Sequence, residues 1–151
     1  MVETGSLSPD EWAFWDIWMQ AQRLLAKEVD RVLQRDFGIS KAEFGILVKL
    51  HAAPDGRMRV TDLADTLDWE KSRVAHQLTR MERRGFLERS EAGAAGRRTG
   101  IALTASGTEL AARAIRVHAD NIRRLAFDRL SPEQAAAIAT WSEDLIDHLA
   151  P

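Results

Sequence analysis

The side chains best suited to chemistry lie between residues 70 and 98, where basic and hydroxyl groups recur at helical spacing. Over residues 70–84, Val74, Leu78 and Met81 fall on one side of a helix that turns by about 100° per residue. The opposite side and its leading edge carry polar groups, namely Lys71, Ser72, Arg73, His76, Arg80 and Arg83. Guanidinium groups read guanine and pair with phosphates, so this face predicts contact with duplex DNA.

The order of these groups along the helix predicts what each would touch. If the N-terminal part of helix 70–84 enters the major groove, Ser72, Arg73 and His76 reach base edges. Arg80 and Arg83 then face phosphates, with Lys71 at the leading edge. A solvated face of an amphipathic helix is the alternative interpretation, because most charged helical faces are of that kind.

A second basic feature favours the DNA interpretation. Arg97 and Arg98 lie in a loop of small residues at 93–100, which is predicted to be the tip of a wing over residues 91–100 that inserts into the minor groove. The net charge is −2, yet residues 57–100 hold ten Lys/Arg against seven Asp/Glu. Phosphate affinity depends on local cations, so a basic middle segment can bind DNA although the whole chain is slightly acidic.

Other chemistries find little support in the sequence. There are no cysteines, and the four histidines, His51, His76, His118 and His148, are scattered, which argues against a metal site and against thiol sensing. No glycine-rich phosphate loop or catalytic grouping stands out. We therefore expect a protein that is not an enzyme and has no cofactor. The alternative function is a winged-helix module that docks on protein without direct DNA binding.

The elements that would position the DNA-binding face can be predicted from capping and breaking signals. Ser8, Ser40 and Ser131 each stand three residues before Glu or Gln, the pattern of a capping box, while Thr61 and Thr104 are further candidate caps. The predicted helices cover 8–36, about 40–53, 62–67, 70–84, 105–127 and 131–149. Short strands are predicted at 58–60, 86–89 and 101–103.

These elements predict a mainly helical fold with a small β-hairpin wing. At 151 residues we expect a single domain over 1–151, in which 40–103 form a winged helix-turn-helix. Helices 8–36 and 105–150 flank it and are predicted to dimerise, because Trp12, Trp15, Trp18 and the Ile138/Leu145/Leu149 face need covering. No membrane span or secretory signal is evident, so a cytoplasmic location without membrane contact is expected.

The chain resembles the multiple antibiotic resistance regulator (MarR) family of bacterial winged-helix repressors over nearly its whole length. The resemblance rests on residues 60–67 (VTDLADTL), 71–74 (KSRV), 78–87 (LTRMERRGFL) and 103–107 (LTASG). It implies a homodimer that presents one recognition helix and one wing to each half of a palindromic operator. It also implies that a small-molecule effector bound near the dimer interface relieves repression or, less often, activates transcription.

Two positions depart from the family pattern. Gly96 stands where an acidic residue usually precedes the wing arginines, so the ion pair that often steadies the wing arginine is missing. Glu70 stands where Ser or Thr usually caps the recognition helix, which leaves the first residue of that helix open. No residue of an effector site is predicted.

Overall fold

The computed structural model describes residues 5–90 and 100–151 and confirms a mainly helical fold with a small sheet. Its helices are α1 (Pro9–Phe37), α2 (Lys41–Ala52), α3 (Val60–Leu67), α4 (Lys71–Arg83), α5 (Ala105–Leu125) and α6 (Pro132–Leu149). Its strands are β1 (Arg57–Arg59), β2 (Leu87–Ser90) and β3 (Gly100–Leu103). The three strands form an antiparallel sheet with β3 in the centre, in the register Met58 opposite Ile101 and Leu87 opposite Leu103.

Side-chain caps fix the ends of the longest helices as the sequence predicts. Ser8 accepts a hydrogen bond from the Glu11 N–H at 3.3 Å, and the Glu11 carboxylate accepts one from the Ser8 N–H at 2.7 Å. The Ser8 bonds lower the pKa of Glu11, because they favour the charged carboxylate. Helix α1 is followed by its C-cap Gly38, whose φ of 64° is left-handed backbone that suits glycine. Ser131 begins α6 with the same reciprocal capping box.

One predicted cap and one predicted capping box are wrong, and both lie near the predicted DNA-binding region. Helix α3 begins at Val60, directly after β1, so Arg59 takes the N-cap position and Thr61 lies inside the helix. Ser40 does cap α2 by accepting from the Glu43 N–H at 3.1 Å. The Glu43 carboxylate, however, turns toward Arg84 instead of completing a capping box. A long-range ion pair therefore takes the place of the hydrogen bond to the Ser40 N–H, while the Ser40 hydroxyl still donates to the Glu43 carboxylate at 3.3 Å.

The core lies where α2, α3 and α4 pack against one another and against the sheet. The side chains with no exposed area include Ile46, Leu47, Leu50, Leu63, Val74, Leu78, Met81 and Ile101. Each such aliphatic side chain contributes about 1.5–3 kcal/mol by leaving water. The apolar face of α4 is thus one wall of this core, which holds the helix in place.

The chain divides into two compact units, Met1–His118 and Ala119–Pro151. In the second unit every residue of α6 is described and none is buried. In the first unit the N-terminal part of α1 also exposes large apolar side chains, including Ile17 at 69%. Among residues 5–90 and 100–151, no helix combines the length and hydropathy that crossing a bilayer requires.

Candidate nucleic-acid interface

Helix α4 separates its apolar and polar residues as the sequence predicts. Val74, Leu78 and Met81 have 0% exposure and face the core. All six polar residues predicted for the DNA-binding face are exposed, namely Lys71, Ser72, Arg73, His76, Arg80 and Arg83. We call this exposed side of α4, with Lys71 at its leading edge, the α4 face. Their contact with DNA stays a prediction.

The turn that precedes α4 sets the direction of its N-terminus. Asp68 ends α3 in left-handed backbone at φ 52°, and the Trp69 N–H then bonds the Ala64 carbonyl at 3.1 Å. Glu70 takes the N-cap position of α4, and its side chain makes no cap hydrogen bond. The positive end of the helix dipole therefore lies beside Lys71 and Arg73, an arrangement that suits an anionic partner.

The Arg73 side chain does not extend freely from this helix end. Its guanidinium carbon lies 4.0 Å from the centre of the Trp69 ring, within the range of a cation–π contact. A depression of about 610 Å³ adjoins the pair, lined by residues from Ala64 to Arg73 that include Asp65 and Ser72. The contact favours a position of the Arg73 guanidinium beside the Trp69 ring.

The C-terminal end of α4 is braced by a buried carboxylate. Glu43 is only 2% exposed, and it accepts a hydrogen bond from the Arg84 guanidinium at 2.7 Å. Arg84 also donates to the Gly38 carbonyl at 2.8 Å and covers the Phe86 ring at 4.9 Å. Arg80 lies 3.8 Å from the same carboxylate. The negative charge of Glu43 is thereby matched, which a buried carboxylate requires.

The base of the wing is tied to the start of α5. The Thr104 hydroxyl donates to the Gly85 carbonyl at 2.6 Å, and the Thr104 N–H donates to the Phe86 carbonyl at 3.1 Å. Thr104 also accepts from the Gly107 N–H at 3.0 Å, which confirms it as the cap of α5. Any β-carbon on Gly107 would collide with the Phe86 carbonyl oxygen, so this close approach requires glycine.

The predicted wing residues Arg97 and Arg98 lie outside the described residues. The adjoining strand β1 is described, and it adds two arginines that were not among the predicted DNA-binding residues. Arg57 and Arg59 are exposed on β1, and Arg59 pairs with Gly100 at the first residue of β3. Strand alternation, once β1 is recognised as part of the sheet, is the signal that would have found them.

A cavity of about 450 Å³ lies elsewhere in the first unit, lined by Asp36, Phe37, Arg113, Arg116 and Val117. The Arg113 guanidinium lies 5.7 Å from the Phe37 ring centre. Two guanidinium groups beside an aromatic ring and one carboxylate favour an anionic, flat occupant. Within the described part of the chain, no group of three or more His, Cys, Asp or Glu residues could hold a metal ion.

Comparison with known proteins identifies a family that matches this chain. The model of the MarR family matches residues 39–93, which include α2, β1, α3, α4 and β2. A search of curated protein sequences found no match.

Solved structures match over nearly the whole chain. A MarR family transcriptional regulator from Streptomyces coelicolor, crystallised in complex with DNA, is 33% identical at a TM-score of 0.89, covering 100% of this chain and 94% of that one. The MarR family regulator AbsC, also from Streptomyces coelicolor, is 31% identical at a TM-score of 0.86, with 97% and 98% covered. MepR from Staphylococcus aureus in its DNA complex is 20% identical at 0.78, with 90% and 98% covered, and shares the fold. The chain therefore belongs to the MarR family of transcriptional regulators.

Proposed function

We propose that this chain regulates transcription as a homodimer that binds duplex DNA through the α4 face, and that it does not catalyse a reaction. Ser72, Arg73 and His76 would reach base edges in the major groove, while Arg80 and Arg83 contact phosphates. The observation that carries the proposal is the division of α4 into a fully buried apolar side and an exposed side with all six predicted polar groups.

The remaining basic groups extend this proposed surface. Lys71 lies at the leading edge of the α4 face, and Arg97 and Arg98 would enter the minor groove from the wing. The Streptomyces coelicolor relative that is 33% identical was crystallised in complex with DNA, which supports the same partner here. A DNA partner also favours a cytoplasmic location.

The proposed homodimer follows from apolar surface that one chain leaves exposed. Ile17 and Leu24 on α1 are 69% and 58% exposed, and Ile146 and Leu149 on α6 are 64% and 70% exposed. Surface of this kind is costly to leave in water, and a second copy is the simplest cover. In this proposal residues 1–151 act as one domain, and two copies present their α4 helices to the halves of a palindromic operator.

The cavity beside Phe37 is the candidate place for a small-molecule effector. Arg113 and Arg116 would bind the carboxylate of an aromatic acid whose ring lies near Phe37. Measuring DNA affinity with and without an aromatic acid tests this proposal. Benzoate is expected to change the DNA affinity of the parent protein more than that of Arg113→Ala.

The test of the proposed function is the dependence of DNA affinity on salt. Arg83→Ala is expected to weaken binding to all duplexes and to lower the slope of log affinity against log salt by about 1 to 2 for a dimer, because each lost phosphate contact removes about one released counterion. Fluorescence anisotropy with a labelled duplex at several salt concentrations measures this slope.

Lys27→Ala is the matched control, because it removes one positive charge from an exposed position on α1. It is expected to leave the slope at the parent value. A parent protein that binds no duplex at low salt, or whose binding ignores salt, would contradict the proposal and favour a module that docks on protein.

A further inference from the structure

We infer that Trp69 is a positioning residue that holds the Arg73 guanidinium ready to contact a base, and thereby sets part of the sequence specificity of DNA binding. The inference rests on the proposed function, because Trp69 would act through Arg73, one of the residues proposed to contact bases. Its structural basis is the 4.0 Å approach of the Arg73 guanidinium carbon to the centre of the Trp69 ring.

The stack joins two helices across a tight turn. Trp69 follows the left-handed Asp68 at the end of α3, and its N–H is bonded to the Ala64 carbonyl at 3.1 Å. Ala64 is 2% exposed, so the backbone bond ties Trp69 to a buried turn of α3. Arg73 belongs to the first turn of α4 and is exposed. A half-buried ring on an anchored backbone therefore supports a side chain that would otherwise sample many rotamers.

An aromatic ring and a carboxylate would leave different N–H groups of Arg73 available for a base. Among the described residues, the ion pairs involve Arg80 and Arg84 with Glu43 but do not involve Arg73. A carboxylate partner would compete with the acceptor atoms of a base for the same N–H groups. A ring binds the guanidinium face and leaves its edge free to donate two hydrogen bonds to guanine.

The geometry also lowers the entropy lost on binding. A free arginine side chain loses much rotamer freedom when it is fixed against a base, and preorganisation removes part of that loss before DNA arrives. The benefit applies only where Arg73 makes a defined contact. Trp69 should therefore strengthen binding to the correct sequence without strengthening binding to DNA in general.

The alternative role of Trp69 is purely structural. The residue before an N-cap often packs on the fourth residue of the helix as a hydrophobic staple, here Val74. Trp69→Leu keeps an apolar side chain at this position and removes the π face. Trp69→Phe keeps a π face. Comparing these two variants separates support of Arg73 from packing of the turn.

The first measurement needs no DNA. In NMR spectra of the parent protein, the Arg73 side-chain Nε–H is expected to be shifted upfield by the ring current of Trp69. The shift should persist in part in Trp69→Phe and vanish in Trp69→Leu, with Arg73→Lys providing the assignment. An Arg73 signal that is the same in the parent and in Trp69→Leu would overturn the inference.

The second measurement compares a duplex selected by the parent protein from a random library with a mixed-sequence duplex of the same length. Trp69→Leu is expected to lower affinity for the selected duplex by about two- to fivefold per subunit in contact, the factor that an exposed cation–π contact supplies. Affinity for the mixed duplex and the salt slope should stay unchanged. In an Arg73→Ala background, Trp69→Leu should cause no further loss of specificity.

The other possible results would overturn either the inference or the proposed function. An equal loss on both duplexes, or the same loss in the Arg73→Ala background, would overturn the inference and assign Trp69 to packing or to direct DNA contact. Unchanged affinity of Trp69→Leu for the selected duplex would overturn it while the proposed function stands. A parent protein that selects no duplex would overturn the proposed function itself, whatever the NMR signal of Arg73 shows.

Discussion

Helices α4 and α6 are both amphipathic, yet the chain treats their apolar sides in opposite ways. In α4 the apolar residues Val74, Leu78 and Met81 are fully buried, and the exposed side is polar. In α6 no residue is buried, and Ile146 and Leu149 are 64% and 70% exposed. One chain therefore completes the packing of α4, whereas α6 displays apolar surface that suits a second copy.

The largest effect, on the free energy of unfolding, should come from truncating a buried side chain of α4. Leu78→Ala is expected to lower the free energy of unfolding by roughly 3 kcal/mol, since a fully buried leucine leaves a cavity when truncated. Urea unfolding followed by circular dichroism measures the change.

Thr79→Ala, one residue further on, is the matched control. Thr79 is exposed and its hydroxyl bonds only the Ala75 carbonyl of its own helix among the described hydrogen bonds, so a change within about 0.5 kcal/mol is expected. A loss for Leu78→Ala no greater than that of Thr79→Ala would show that α4 is not held by its apolar side.

The buried side of α4 and the caps of the long helices could be predicted from sequence because their signals are local. Ser8 and Ser131 sit three residues from their partners, and the spacing of Val74, Leu78 and Met81 alone determines one face of a helix. Such patterns lie within one or two helical turns, where geometry is fixed by the backbone.

Other contacts were missed, some because they are long-range and some because an unrecognised backbone turn sets them. Glu43 has the sequence pattern of a capping-box residue, yet its carboxylate bonds Arg84, which is 41 residues away. The stack of Arg73 on Trp69 depends on a turn whose left-handed residue, Asp68, carries no glycine signal. The prediction that Thr61 caps α3 was wrong because β1 runs directly into α3, so that Arg59 takes the N-cap position.

A smaller effect should come from placing a charge on the exposed side of α6. Ile146→Asp is expected to weaken self-association roughly tenfold or more, because the dimer would have to bury a carboxylate without a partner. The fold should survive, since Ile146 contributes little to the packing of its own chain at 64% exposure. Sedimentation velocity at micromolar concentration measures the oligomeric state.

Ile146→Leu preserves the apolar surface and should remain a dimer. A parent protein that sediments as a monomer at micromolar concentration would contradict the proposed assembly. In that case the contrast between α4 and α6 would no longer indicate a second copy of this chain.

The smallest effect concerns a histidine that lies between full burial and full exposure. The His118 ring lies 4.6 Å from the Phe44 ring on α2, centre to centre. Burial lowers the pKa of His118, and the nearby charge of Lys41 lowers it further. The unfolded chain therefore binds this proton more tightly than the folded chain does. The free energy of unfolding should be highest above the ordinary histidine pKa of about 6.5 and should fall as the pH drops through the lowered folded value.

Substituting this histidine tests whether burial against the winged-helix core governs its protonation. His118→Phe keeps a ring against Phe44 and is expected to reduce the loss of stability on acidification, as measured by urea unfolding at pH values on both sides of 6.5. Lys41→Ala should reduce that loss only in part, because burial is the larger cause of the lowered pKa. Parallel pH profiles for the parent and His118→Phe would mean that the ring is as well solvated in the folded chain as in the unfolded one. In that case the half-buried His118 ring would be as well solvated as the exposed side chains of α4 and α6.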